Sequence, residues 1–415
     1  MADTPLDTAL ARLEAGREDA LARLFELLRI PSISTDPAYA PECRRAADWL
    51  RGDLEGMGFA ARVQETDGHP LVIAHADGPG PHVLFYGHYD VQPVDPLELW
   101  ARDPFDPALV ETEGRARIVG RGASDDKGQV MTFLEACRAA LAATGRLPCK
   151  VSVVLEGEEE STGDSLLKFL EANREEMTAD LALVCDTTMW DARTPAITTM
   201  LRGILTEEVT VKAADRDLHS GFFGGAAANP LHVLSAALAG MRDDRGRISL
   251  AGFYDGVPEI PDAVRAQWAA LDFDPGAFLG GVGLATPAGE ADRTALEQVW
   301  ARPTAEVNGL WGGYTGAGFK TVIPAEAHAK VSFRLVGAQD PEAVRAAFRA
   351  HVLACLSPDC EAEFTGHGAA RPIVMPTDAP AFETARQALS EEWGREAAFI
   401  GCGGSIPIVG DFRRV

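Results

Sequence analysis

Four short segments concentrate the residues able to hold a cation or move a proton: FYGHYDVQP (85–93), GRGASDDKG (120–128), LEGEEES (155–161) and LVCDTT (183–188). Together they carry His88, Asp90, Asp125, Asp126, Glu158, Glu159, Glu160 and Asp186. Carboxylates crowded into one crevice disfavour each other's ionisation, so convergence of these segments requires a divalent cation. One imidazole among oxygen donors suits zinc, with manganese and cobalt as alternatives. Taken singly, each element is ordinary. His88 reads as a satisfied histidine at a strand end and Glu158–Glu160 as a solvated acidic loop. Asp125–Asp126 ahead of Lys127 reads as a helix cap, where acids are favoured. The repeated arrangement, an apolar stretch emptying into a polar cluster, is what points to one shared site.

Such clusters need strands to deliver them. LVIAHA (71–76), HVLFYGHYD (82–90), CKVSVVLEG (149–157) and LALVC (181–185) are short apolar runs, the pattern of strands buried on both faces. Helical spacing marks 6–29 before Pro31, 41–57 before Gly58, 127–143 and 163–172. Strands alternating with helices predict an α/β fold, a mixed sheet with helices on both faces and ligands beyond the carboxyl ends of the strands. The pattern changes after Arg202. Segments 204–213 and 326–336 alternate apolar and polar residues, as antiparallel strands with one wet face do. Segments 230–241 and 341–356 read as helices, and 253–290, rich in proline and glycine, as loop. These features predict a smaller α+β domain, residues 203–374, inserted into a catalytic domain made of 1–202 and 375–415.

The 415-residue chain has 38 Lys+Arg against 62 Asp+Glu, a net charge of −24. That balance repels phosphates and anionic lipid, so neither nucleic acid nor membrane is an expected partner. The N-terminus is too polar for a secretory signal, and no apolar run approaches the ~20 residues of a membrane span. Seven cysteines, an odd number with no C-x-x-C pair, suit a reducing cytoplasm. There is no G-x-S-x-G elbow and no H-E-x-x-H helix. GRGASDDKG lacks the G-x-G-x-x-G of a phosphate loop, which argues against a nucleotide.

In the order GHYDVQP, GRGASDDKG, EGEEES, RDLHSGFFGG, KTVIP, GGSIP, the chain resembles the zinc-dependent exopeptidases and amidohydrolases that include carnosine dipeptidases, succinyl-diaminopimelate desuccinylase, acetylornithine deacetylase and carboxypeptidase G. The likeness is closest to the dipeptidase branch. It implies a dinuclear metal-dependent hydrolase, with two zinc ions, that cleaves dipeptides or short peptides bearing a free C-terminal carboxylate. Transferred residue by residue, it makes His88, Asp125, Glu160 and Asp186 the metal ligands, with Asp125 bridging. Asp90 orients His88, and Glu159 is the general base. His219 reaches into the partner's site of a homodimer built through the inserted lid and dimerisation domain. Thr321, Arg334 and Ser405 hold the substrate. The resemblance also implies a cis bond between Asp125 and Asp126. One family feature has no match: a last metal-binding histidine beyond GGSIP. The sequence reading therefore expects a truncated chain with a defective second metal site. The alternatives are an N-acyl amino acid deacylase or desuccinylase and, from another class, a non-catalytic binding protein on the same fold.

Overall fold

The computed structural model describes residues 4–112, 114–161 and 163–415. The chain folds as two compact units, one running to Thr187 and taking in Asp411–Val415, the other Thr188–Gly410. In chain order the strands of the first unit are β1 (Ala60–Gln64), β2 (Leu71–Ala76), β3 (His82–His88), β4 (Ala108–Thr112), β5 (Arg115–Val119), β6 (Lys150–Glu156) and β7 (Leu181–Val184). Five of them make one sheet in the order β1-β2-β6-β3-β7. β1, β2 and β6 are joined antiparallel, whereas β6, β3 and β7 run parallel, so the sheet is mixed as predicted. Among the described residues β4 and β5 pair only with each other.

One face of this sheet packs on three helices. Leu24, Leu27 and Leu28 come from helix Arg17–Leu28, Ala46, Leu50 and Leu54 from Ala40–Gly56, and Val130, Met131 and Leu134 from Lys127–Thr144. They close over Val72, Ala74, Phe85, Val153 and Leu155. Each fully buried leucine contributes about 1.5–3 kcal/mol. The ion pairs that also tie these helices, Arg23–Glu135 at 2.7 Å and Arg138–Asp53 at 2.6 Å, are part-exposed. Such pairs contribute about 0–1 kcal/mol, so burial is what fixes the layer. On the other face the Tyr86 ring meets Phe412 edge-on, 5.6 Å between centroids. The helix predicted over 6–29 is two helices, Pro5–Ala15 and Arg17–Leu28, because Gly16 leaves the helical region at φ −94°, ψ 8°.

The second unit holds β8 (Ala196–Leu201), β9 (Gly203–Lys212), β10 (Leu218–His219), β11 (Thr304–Gly312), β12 (Val322–Ile323), β13 (Glu326–Leu335), β14 (Glu361–Ala370), β15 (Ile373–Val374) and β16 (Ala398–Cys402). A four-stranded antiparallel sheet runs β11-β13-β9-β14. β9 is buried at every second residue. Leu205, Val209 and Val211 pack on helices Pro230–Ala239 and Pro341–Ala354 through Leu234, Ala237, Val344 and Phe348. Buried Glu207 on the same face is bonded by Arg345 and Arg349 of the second helix. A smaller sheet, β15-β8-β16, packs on Trp190, Trp268 and Trp300. The stretch read as loop from 253 to 290 contains helices Asp262–Ala269 and Pro275–Gly280, the first anchored by Trp268. Both are too short to show a helical repeat. No helix among the described residues is long and apolar enough to cross a membrane, and all seven cysteines are free.

Candidate active site

Because β6, β3 and β7 are parallel neighbours, their carboxyl ends emerge at one edge of the sheet. His88, the last residue of β3, lies opposite Glu156 at the end of β6 and is fully buried. Asp186 follows two residues after β7, and Glu159 and Glu160 open the short 3₁₀ turn after β6. Asp125 arrives by another route. Its segment follows β5, which belongs to the separate β4–β5 pair and not to the main sheet, so only three of the four clusters leave that sheet. The Asp125–Asp126 peptide is cis.

His88 Nε2 lies 3.0 Å from Asp125 Oδ1 and 3.8 Å from Asp186 Oδ2. One donor atom from each of His88, Asp125 and Asp186 falls within 4.8 Å of the others. An imidazole nitrogen and two carboxylate oxygens gathered this tightly form the donor set of a divalent cation, and the residues present fit one. Glu160 stands outside this group, with Oε2 accepting a hydrogen bond from Gln92 Nε2 at 2.6 Å.

The imidazole is held from behind. His88 Nδ1 is 3.1 Å from the backbone oxygen of Asp90 and 3.4 Å from its Oδ1. Asp90 is itself clamped, its Oδ2 accepting from Ser34 Oγ at 2.6 Å and from the Glu160 amide at 3.0 Å. A carboxylate behind an imidazole in this way fixes ring orientation and tautomer. Asp126 begins helix Lys127–Thr144 without a side-chain cap; its Oδ2 accepts from the His88 amide at 3.0 Å instead. Lys127 is fully buried and donates to the Leu27 and Ile30 carbonyls at 3.2 and 2.7 Å, pinning the aspartate turn to the end of helix Arg17–Leu28. Gly87 leaves the room this needs: a Cβ there would come within 2.5 Å of Val130 Cγ2 and 2.8 Å of Asp126 Oδ2.

The three consecutive glutamates divide their work. Glu158 is structural, accepting from the His69 and Ser165 amides at 2.9 and 3.3 Å. Burial, aided by the charges of Glu160, Asp186 and Asp90, lifts the Glu159 carboxyl to about 7. Burial also raises Glu160 and Asp186, whereas the hydrogen bond with His88 lowers Asp125. Burial opposes charge on His88, but hydrogen bonds with Asp125 and Asp90 outweigh it and push the imidazole up. A carboxyl near 7 beside a cation site is suited to take up a proton and give it back.

The remaining predicted residues lie in the second unit and form two pairs. His219 is exposed on β10; its Nδ1 accepts from the Gly221 amide at 3.0 Å and its Nε2 is 3.4 Å from Thr321 Oγ1. Arg334 on β13 donates from Nη1 to Ser405 Oγ at 3.0 Å. Ser34, Gln92 and Arg202 were not singled out from sequence. Their types are common, and only the fold places them beside Asp90, Glu160 and Ser405.

The family model for peptidase family M20/M25/M40 matches residues 84–415. The chain belongs to this family. Among its M20 relatives is the Cys-Gly metallodipeptidase dug1 of Schizosaccharomyces pombe, 27% identical over 99% of this chain and 89% of that protein. Human carnosine dipeptidase 1 superimposes with a TM-score of 0.82 at 27% identity, covering 99% of this chain and 90% of that one. An M20 family metallo-carboxypeptidase from Sulfolobus solfataricus gives 0.82 at 31% identity, covering 94% and 87%. This M20 chain is a metallo-exopeptidase of the dipeptidase branch, and its fold is that of the M20 dipeptidases.

Proposed function

We propose that this M20 peptidase hydrolyses dipeptides or short peptides bearing a free C-terminal carboxylate, using two divalent cations, zinc in the first instance. The observation that carries this reading is the cluster of His88, Asp125 and Asp186 beside a Glu159 carboxyl lifted to about 7. The names of the relatives point the same way: a Cys-Gly dipeptidase and a carnosine dipeptidase.

His88, Asp125 and Asp186 would hold one cation, and Asp125 with Glu160 the second. When bound, such cations lower the pKa of water and polarise the scissile carbonyl. Glu159 takes the attacking water's proton and returns it to the leaving amine. Asp90 keeps His88 presenting Nε2. Arg334, with Thr321 and Ser405, takes the substrate's terminal carboxylate, for which a planar guanidinium is well shaped. His219 serves the partner's site in a homodimer assembled through residues 203–374. The seven free cysteines support a cytoplasmic setting.

The test is a screen of metal-depleted protein reloaded with zinc, manganese or cobalt, against unblocked dipeptides and N-acetyl or N-succinyl amino acids. Dipeptides should be favoured by about 100-fold or more in kcat/KM. Preference for the N-acyl substrates would make the protein a deacylase. Absence of hydrolysis of every substrate with every metal would overturn this substrate reading.

A further inference from the structure

Arg202 joins β8 to β9, and every polar group it extends toward Gly403–Ser405 is used. Its amide donates to the Gly404 carbonyl at 3.1 Å, its Nε donates to the Gly403 carbonyl at 2.9 Å, and its own carbonyl accepts from Ser405 Oγ. Ser405 Oγ in turn accepts from Arg334 Nη1 at 3.0 Å. The fit is close: a Cβ on Gly403 would lie 3.1 Å from Arg202 Nη2 and 3.1 Å from Val299 Cγ1. Yet Arg202 Nη1 is buried with no hydrogen-bond partner among the described residues. Arg202 and Arg334 line the same cavity, of about 470 Å³, with Glu306, Asn308 and Ser332. Arg242 and Arg302 also line it, with two carboxylates: Glu290, which is paired with Arg302 at 2.6 Å, and Glu306, which is exposed, hydrogen-bonds neither Arg202 nor Arg334, and whose charge only partly offsets that of Arg202. Burial, followed by the charge of Arg334, pushes the Arg202 guanidinium down to about 10, so the two cations repel each other across this cavity.

Two neighbouring guanidiniums with a buried, unused N–H between strand ends offer donors that an anion would satisfy. We infer that Arg202 is a specificity-determining positioning residue of the carboxylate subsite: it locks Gly403–Ser405 so that Ser405 and Arg334 meet the substrate's C-terminal carboxylate, and it adds the second positive charge that selects a carboxylate over an amide. This rests on the proposed peptidase reading. It extends that reading to a residue whose side chain points at a backbone turn and which no motif marks.

The test compares Ala-Gly with its C-terminal amide in the metal-loaded protein, and glycine with glycinamide as product probes in calorimetry. Arg202→Gln should raise KM for Ala-Gly about tenfold with kcat within about threefold, and should cut the acid-over-amide ratio of kcat/KM about tenfold. It should weaken glycine about tenfold and leave glycinamide unchanged. Arg202→Lys, which keeps a cation, should raise KM yet preserve the acid-over-amide ratio; it also carries the test should the glutamine variant not fold. The inference is overturned if folded Arg202→Gln keeps KM, ratio and glycine affinity within about twofold, or if acid and amide suffer equally. Wild type that cleaves no dipeptide but binds glycine in an Arg202-dependent way would sink the peptidase reading and support the subsite. Wild type that does neither would sink both.

Discussion

Glu159 and Asp125 sit in one acidic cluster, yet their surroundings assign them different work. Among the described residues no hydrogen bond fixes the proton of Glu159, and burial holds its carboxyl near 7. Asp125 lies 3.0 Å from the His88 nitrogen and is pulled toward the charged form. Glu159→Gln should therefore keep the metal, measured by elemental analysis, and lose about 100- to 10,000-fold in kcat. Asp125→Ala should lose the metal itself. A glutamine variant within about tenfold of wild type would remove Glu159 from the proton-transfer role.

At the scale of elements, the site depends on how closely β3 approaches helix Lys127–Thr144. Gly87→Ala would push against Val130 and Asp126, both buried. It should cost about 1–3 kcal/mol in thermal unfolding, the usual penalty of overpacking, and should weaken metal binding because Asp126 orients the His88 amide. Adding Val130→Ala removes the nearer contact and should return part of the stability. Failure of the double variant to recover any would place the strain elsewhere. The elements themselves were unevenly legible. β2, β3 and β6 were readable because both faces are buried and their apolar runs are continuous, and β9 and β13 because one wet face makes them alternate. β1 and the β4–β5 pair were missed because they lie at the margin and carry exposed polar residues. The convergence of His88, Asp125 and Asp186 was legible because their residue types are chemically restrictive. Ser34 and Gln92 were not, since a serine or glutamine acquires meaning only from what the fold sets beside it.

For the whole molecule, the proposed dimer gives a test that no single chain can pass. His219 is exposed; it pairs with Val322 across the β10–β12 ladder, and its ring meets the Gly221 amide, Thr321 and Phe222. If it acts in a partner's site, His219→Ala should lose activity and keep metal, and mixing it with Asp125→Ala should restore part of the lost rate. Sedimentation should show a dimer at working concentration; a fully active monomer would refute the arrangement. The strand order of the first unit has a separate consequence. β7 is four residues long, lies at the sheet edge and, among the described residues, pairs with β3 alone. Asp186 therefore rides on the strand that local opening should release most readily, while His88 is set in the interior. If Asp186 is a metal ligand as proposed, opening and metal loss are linked events. Amide protons of Leu181–Val184 should exchange fastest in the sheet without metal and slow in proportion to affinity when it is added. Metal dissociation should follow the same opening rate, so the fraying of one edge strand should set the lifetime of the metal-loaded protein.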